Sequence, residues 1–238
     1  MVGPEAVDRI LDLLDEVDQK VQSLTDKVND ILSWVPWGLG WVVDKFKDLW
    51  SKAMDKLGEF WDKVKEFVSY LGAPWDLDSA KQQWIELGGP VAARATEADR
   101  SQSTVDSEWK GQAADRYAMS LGPQGKALTA VQGKLASVVG PALGAVSTAL
   151  YLFYGAVAVA IVAMIVGIVT ATGEAVSILG LPAVPPTVIV AVATAILALG
   201  TAVMNLRGAA SGANTEFLKV ANETGDFGAD HWPKAVIG

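Results

Sequence analysis

Two long stretches without a charged residue constrain this chain more than any other feature of its sequence. Between Lys134 and Glu174 lie 39 consecutive uncharged residues, and between Glu174 and Arg207 lie another 32. Within them, residues 146–169 and 187–204 form segments of 24 and 18 residues that are almost continuously apolar. A helix needs about 20 apolar residues to cross the hydrocarbon core of a bilayer. The sequence therefore predicts two apolar helices of roughly transmembrane length.

A segment rich in glycine and proline separates these two helices, and it contains Gly173, Gly180, Pro182, Pro185 and Pro186. Such residues favour a turn, so residues 146–207 are predicted to form a hydrophobic two-helix hairpin, which is the candidate transmembrane element. The candidate residues of this membrane hairpin are Leu150, Phe153, Gly155, Ile161, Ile165, Ile189, Ile196 and Leu199. Three interpretations stay open: permanent insertion in a membrane, a soluble form that shelters an insertable hairpin, and an ordinary soluble core.

The first 72 residues have the pattern of an amphipathic helical hairpin. Apolar residues recur every three or four positions before and after a turn at 34–41, and this spacing is typical of helices that pack along a seam. The first seam comprises Val7, Ile10, Leu14, Val17, Val21, Leu24, Val28 and Ile31, and the second Val43, Phe46, Trp50, Ala53, Leu57, Phe60, Val64, Phe67 and Leu71. Two helices of about 28 residues joined by a short turn should lie antiparallel.

The turn of this hairpin contains three tryptophans, Trp34, Trp37 and Trp41. They cap the end of the hairpin core, or they form a tip that contacts a membrane or a partner protein. Tryptophan is common at membrane–water boundaries and in protein interfaces. Periodicity alone does not choose between these two interpretations.

Residues 73–145 form a second predicted helical hairpin, with Trp109-Lys110-Gly111 at the junction of its two arms and Ala113, Ala114 and Tyr117 following. This arrangement resembles the Trp-Xaa-Gly (WXG) family of small type VII (ESX) secretion substrates of Gram-positive bacteria. The resemblance implies a helical hairpin with Trp109, Gly111 and Tyr117 at its turn, pairing with another such hairpin, and export without a cleaved signal peptide. One departure is that the fourth residue after each tyrosine is not acidic, so the Tyr-x-x-x-Asp/Glu export signal of such systems is missing from this sequence.

Composition and motifs argue against catalysis. The chain has no cysteine, one histidine and a net charge of −8, so thiolate chemistry and Cys-based metal sites are excluded, and the acidic balance disfavours nucleic-acid binding. Nucleophile-elbow, phosphate-loop and dinucleotide-binding motifs are missing. We therefore expect no enzyme activity, no cofactor, no metal and no small-molecule substrate. The expected partners are a helical protein or a second copy of the chain, and a lipid membrane.

The predicted fold is all-α: elongated antiparallel helical hairpins or a bundle, with a hydrophobic and transmembrane-length two-helix hairpin. Its segments are 1–72, 73–145, 146–207 and a polar C-terminal tail at 208–238. The expected function is that of a non-enzymatic, type VII-associated secreted protein that inserts its apolar hairpin into a membrane, as an anchor, a pore-forming component or an effector carrier. The alternative is a resident integral membrane protein whose helical front docks a partner or a secretion component.

Overall fold

The computed structural model describes residues 5–35, 40–70, 72–175, 180–227 and 232–234. Every regular element in these ranges is helical, which confirms the all-α prediction. The α-helices are α1 (Glu5–Ser33), α2 (Gly40–Tyr70), α3 (Pro74–Glu108), α4 (Gln112–Ala130), α5 (Ser137–Glu174) and α6 (Val184–Asn222). A π-helical segment (Val131–Ala136) joins α4 to α5, and short 3₁₀ turns lie at Leu181–Ala183 and Thr224–Phe227.

The helices form two compact units, each built from two separate parts of the chain. Unit 1 comprises Met1–Ala73 and Ala149–Leu206, and unit 2 comprises Pro74–Thr148 and Arg207–Gly238. The amphipathic hairpin therefore belongs to the same unit as the apolar hairpin. The WXG-like hairpin belongs to the same unit as the C-terminal segment.

The seam residues of α1 and α2 are buried because their three–four spacing places them on one face of each helix. On α1 the fully buried members are Ile10, Val17, Leu24 and Val28, and on α2 they are Phe46, Ala53, Leu57, Phe60 and Val64. Most of the charged residues between them are exposed, where solvation stabilises their charge, whereas Lys27 is half-buried.

One hydrophobic core is shared by α1, α2, and the parts of α5 and α6 that lie in unit 1. From α5 and α6 it includes Phe153, Val157, Ile161, Met164, Ile168, Val188, Val192 and Leu199. Neither hairpin of unit 1 buries its apolar residues alone, so the amphipathic hairpin covers one side of the apolar hairpin.

Two hydrogen bonds and one helix contact align the hairpins of unit 1. Lys27 Nζ of α1 donates to the Thr172 carbonyl oxygen of α5 at 2.8 Å, and α2 contacts the turn Leu181–Ala183. At the other end, Tyr154 Oη donates to the Gly72 carbonyl oxygen at 3.2 Å. The C-terminal ends of α1 and α5 and the N-terminal ends of α2 and α6 therefore lie at the same end of unit 1, which we call the tip.

In unit 2, α3 packs against α4 and against the π-helical segment. The chain reverses between α3 and α4 at Trp109-Lys110-Gly111, where Gly111 has φ +107°. The C-terminal segment begins as a helix, because α6 continues through Gly208 as far as Asn222. Ala213 and Val220 are buried there, and packing of this apolar stripe stabilises a helix whose composition alone would not.

Candidate membrane-binding surfaces

Helix α5 exposes a continuous apolar stripe on the side away from the core. Leu152 is 70% exposed and Val159 69%, although both belong to residue types that normally avoid water. The stripe consists of Leu152, Gly155, Val159, Val162, Val166 and Val169, all exposed and spaced alternately by three and four residues. From Leu152 to Val169 it covers 18 residues, and the 17 steps between them correspond to about 26 Å along the helix at 1.5 Å per residue.

Helix α6 carries a matching exposed stripe. Val190, Leu197 and Met204 are exposed, and Thr194 and Thr201 lie between them at the same spacing. The two threonines do not interrupt the apolar character, because each hydroxyl donates to the carbonyl four residues earlier, Val190 O at 2.8 Å and Leu197 O at 3.0 Å. A helix hydroxyl bonded in this way presents little polar surface to lipid.

The hairpin residues predicted from the sequence lie mostly on the other side of these helices. Leu150, Phe153, Ile161 and Leu199 are buried, and Ile165, Ile189 and Ile196 are partly buried against the shared core. Gly155 is exposed. Because both helices are apolar on all sides, their periodicity does not distinguish the core face from the exposed face, and the exposed valines were missed.

The two apolar helices approach each other closely at Gly167 and Ala191. A Cβ atom added at Gly167 would lie 2.3 Å from the Ala191 Cβ, so only glycine fits there. Small residues at helix crossings are the usual means by which lipid-embedded helices pack. This contact makes α5 and α6 a pair in its own right, apart from their packing on α1 and α2.

The tip of unit 1 exposes two of the three predicted tryptophans. Trp34 is 82% exposed and Trp41 68%, so these two rings do not cap the hairpin core. Trp37 lies outside the described residues. The sequence from Ile31 to Val43 contains no charged residue, and the same is true of the α5–α6 connection beyond Glu174.

The outward face of α1 and α2 has the opposite character. Residues 5–33 include eight acidic and three basic side chains, and residues 40–70 include six of each sign. Lys52 pairs with Asp48 at 2.8 Å and Lys56 with Glu59 at 2.6 Å, both on the exposed surface. The Lys56 hydrogen bond and charge hold the pKa of Glu59 below its usual value. Unit 1 is thus charged on one side and apolar on the other.

In unit 2 the structure brings together the three residues of the WXG resemblance. The rings of Trp109 and Tyr117 lie 6.0 Å apart between centroids and are tilted by 49°, and Gly111 lies between them in sequence at the start of α4. Both rings are partly exposed, so this turn has an aromatic surface open to solvent.

An open cavity of about 930 Å³ lies beside α4, lined by Asp99, Gly122, Gly125, Lys126, Thr129, Ala130, Gly133, Lys134 and Asp226. Lys134 Nζ and Asp226 Oδ2 are 2.7 Å apart across it. The hydrogen bond to Asp226 raises the pKa of Lys134. This pair fastens the C-terminal segment to the helix before α5.

Two continuous helical stretches of the described structure are long and apolar enough to cross a membrane. The first, Gln112–Glu174, joins α4, the π-helical segment and α5, and the second, Leu181–Asn222, joins the short 3₁₀ turn and α6. Within the described ranges no group of three or more His, Cys, Asp or Glu side chains is arranged to hold a metal ion. No protein-family model, curated protein or solved structure matches this chain.

Proposed function

We propose that this protein is a non-enzymatic helical protein that inserts its α5–α6 hairpin into a membrane. The observation that carries the proposal is the exposed apolar stripe on α5 and α6, opposite the core they share with α1 and α2. Its length of about 26 Å approaches the thickness of a bilayer's hydrocarbon core, about 30 Å. Exposed apolar surfaces of this extent mark protein–protein or membrane interaction sites.

Insertion of the hairpin requires α5 and α6 to leave α1 and α2. The amphipathic helices run beside the apolar ones from the Lys27–Thr172 contact to the Tyr154–Gly72 contact. If the four helices crossed a bilayer as one bundle, the charged face of α1 would lie in hydrocarbon. Each charged side chain at the bilayer centre costs about 3 kcal/mol or more. The arrangement described here is therefore the form outside the membrane, and the inserted form is a second conformation.

Leaving the shared core costs α5 and α6 little free energy. Their buried residues move from a protein core to lipid, which is also apolar, and every backbone group of a helix stays hydrogen-bonded within it. The close contact at Gly167 and Ala191 keeps the two helices paired during this transfer. The cost falls on α1 and α2, which lose the apolar surface that covers their seams.

The WXG resemblance supports export through a type VII system as the route to the target membrane. Its support is the helical hairpin of α3 and α4, with Trp109 and Gly111 at the turn. Because the Tyr-x-x-x-Asp/Glu signal is missing from this sequence, export in this proposal depends on a partner chain that carries it; without such a partner, export does not occur. After export the hairpin serves as an anchor, a pore-forming component or a carrier for an effector.

The alternative function is that of a resident membrane protein whose α1–α2 hairpin docks a secretion component. Fractionation of the tagged protein in its host separates the two, with alkaline carbonate washing of the membranes. Release into the medium that disappears when the type VII ATPase is deleted supports export. A protein that stays wholly in carbonate-resistant membranes contradicts export and supports the resident alternative.

A further inference from the structure

We infer that the tip of unit 1 is the end that first binds a membrane, and that it binds net-neutral phospholipid without needing anionic headgroups. This inference rests on the proposed function, because it names the lipid partner and the orientation for insertion of the α5–α6 hairpin. It is carried by the exposure of Trp34 and Trp41 at the end of unit 1 where the sequence is uncharged from Ile31 to Val43 and from Ala175 to Leu206.

The ends of α1 and α5 meet at the tip of unit 1. The Lys27–Thr172 hydrogen bond joins the last two turns of α1 to the last turn of α5, and α2 contacts the turn Leu181–Ala183. Any hairpin that enters a bilayer leads with its connection or leaves it behind. The end of α5 and the start of α6 therefore lie at the same end of unit 1 as Trp34, directly after α1, and Trp41, in the first turn of α2, and both of these rings are exposed.

The two sequence segments that join the helices at the tip contain no charged residue between Asp30 and Asp44 or beyond Glu174. The 13 residues between Asp30 and Asp44 are uncharged, and so are all residues between Glu174 and Arg207. The connections at the tip can therefore enter the headgroup region without carrying an ion. The opposite end of α1 begins with Glu5 and Asp8, and charged residues in the same position there would resist entry.

The charges in the helix turns next to the tip indicate which kind of lipid it binds. Five acidic and three basic residues lie in the last turns of α1 and α5 and the first turns of α2, next to the tip. They are Asp26, Lys27, Asp30, Asp44, Lys45, Lys47, Asp48 and Glu174. Attraction to anionic lipid needs an excess of Lys and Arg near the surface, and the tip has a net charge of −2 from these eight residues. Binding is thus driven by the amphipathic indole rings, which favour the membrane–water interface.

The experiment is flotation of the full-length chain with phosphatidylcholine vesicles, with and without added phosphatidylserine. The double variant Trp34→Ala/Trp41→Ala should lose about tenfold in partitioning. The matched control is Leu218→Ala/Trp232→Ala, which removes two exposed apolar side chains from unit 2 and should bind as the unaltered chain does. Added phosphatidylserine should not strengthen binding, and raised salt should not weaken it.

A site-specific label reads the orientation directly. Because the chain has no cysteine, Ser33→Cys places one environment-sensitive dye beside Trp34, and Ser107→Cys places it near the α3–α4 turn. The dye at residue 33 should shift to the blue with phosphatidylcholine vesicles, and the dye at residue 107 should not. A shift at residue 33 that needs a second, unlabelled copy of the chain and no lipid would overturn the proposal and identify the tip as a protein interface.

Equal binding by the tip variant, or binding only to anionic vesicles, would also overturn the inference. The proposed function fails separately, and a dye at Val159→Cys on the exposed stripe reports it. If the tip binds while that dye stays accessible to an aqueous quencher, the tip inference stands and hairpin insertion is wrong. If that dye becomes protected in the tip variant as fast as in the unaltered chain, insertion stands and the tip inference is wrong.

Discussion

Lys27 of α1 donates a hydrogen bond of 2.8 Å from its ammonium group to the carbonyl oxygen of Thr172, in the last turn of α5. The carbonyls of a last helical turn have no partner within the helix, and a cation near a helix C-terminus also interacts favourably with the helix dipole. This contact fastens the amphipathic hairpin to the apolar hairpin at the tip.

Replacement of Lys27 by methionine should loosen this attachment. Methionine keeps most of the aliphatic length but cannot donate, so the free energy of unfolding should fall by about 1 kcal/mol, since the site is only half-buried. Insertion into vesicles should become faster. Urea unfolding and the rate of dye protection at residue 159 measure the two effects. Lys20→Met is the control, and an equal effect there would contradict a specific role for Lys27.

Gly167 and Ala191 provide a test of the α5–α6 crossing. Gly167→Ala should destabilise unit 1 by about 1–3 kcal/mol, because the new methyl group overlaps Ala191 and forces the helices apart. Gly155→Ala has open space around the new Cβ, so it should be neutral or stabilising by up to about 1 kcal/mol, the helix preference of alanine over glycine. Both are measured by thermal unfolding.

A second substitution makes this test stricter. Adding Ala191→Gly to Gly167→Ala removes the methyl group that the first change meets, so stability should partly recover. A double variant as unstable as the sum of the two single variants would show that the helices do not meet at this crossing.

The shared core predicts that Phe60 holds the two hairpins together. Phe60 is fully buried on α2 within the core that includes α5 and α6, and Phe60→Ala should cost about 3–5 kcal/mol. Limited proteolysis should then cut α1 and α2 sooner. Leu11→Ala, at an exposed position of α1, should leave the cleavage rate nearly unchanged, and equal cleavage of the two variants would argue against the shared core.

Gly111 tests the turn of unit 2. Its φ of +107° is a backbone conformation that side chains with a Cβ strain to adopt, at a cost of about 1–3 kcal/mol. Gly111→Ala should therefore destabilise unit 2, as followed by hydrogen exchange of α3 and α4. Gly212→Ala, in the part of α6 that belongs to unit 2 and with open space around the Cβ, should not; if it destabilised unit 2 as much, strain at Gly111 would not be the cause.

Helix positions and buried seams were predictable, because amphipathic spacing identifies which face a helix buries. Ile10, Val17, Leu24 and Val28 were all read correctly in this way. The partner of each face was not predictable, since a seam does not specify which helix covers it. The sequence therefore left open whether α1 and α2 cover α5 and α6.

The exposed surfaces were the least predictable part of the candidate site. On α5, Val159 and Ile161 differ little in chemistry, yet one is exposed and the other buried. Only the packing against α1 and α2 distinguishes them. Trp34 was expected to be buried if it capped the hairpin core and exposed if it formed a contact tip. Which of the two holds depends on where the chain turns, and the residue type does not show that.

In the proposed function, α5 and α6 separate from α1 and α2 and enter a bilayer. The most direct measurement uses detergent-free protein with one dye at Val159→Cys, mixed with phosphatidylcholine vesicles, and an aqueous quencher that cannot cross them. The account predicts that the dye is quenched before mixing and protected afterwards, while a dye at Ser107→Cys stays accessible throughout. A dye at residue 159 that remains fully quenched with every vesicle composition would contradict hairpin insertion.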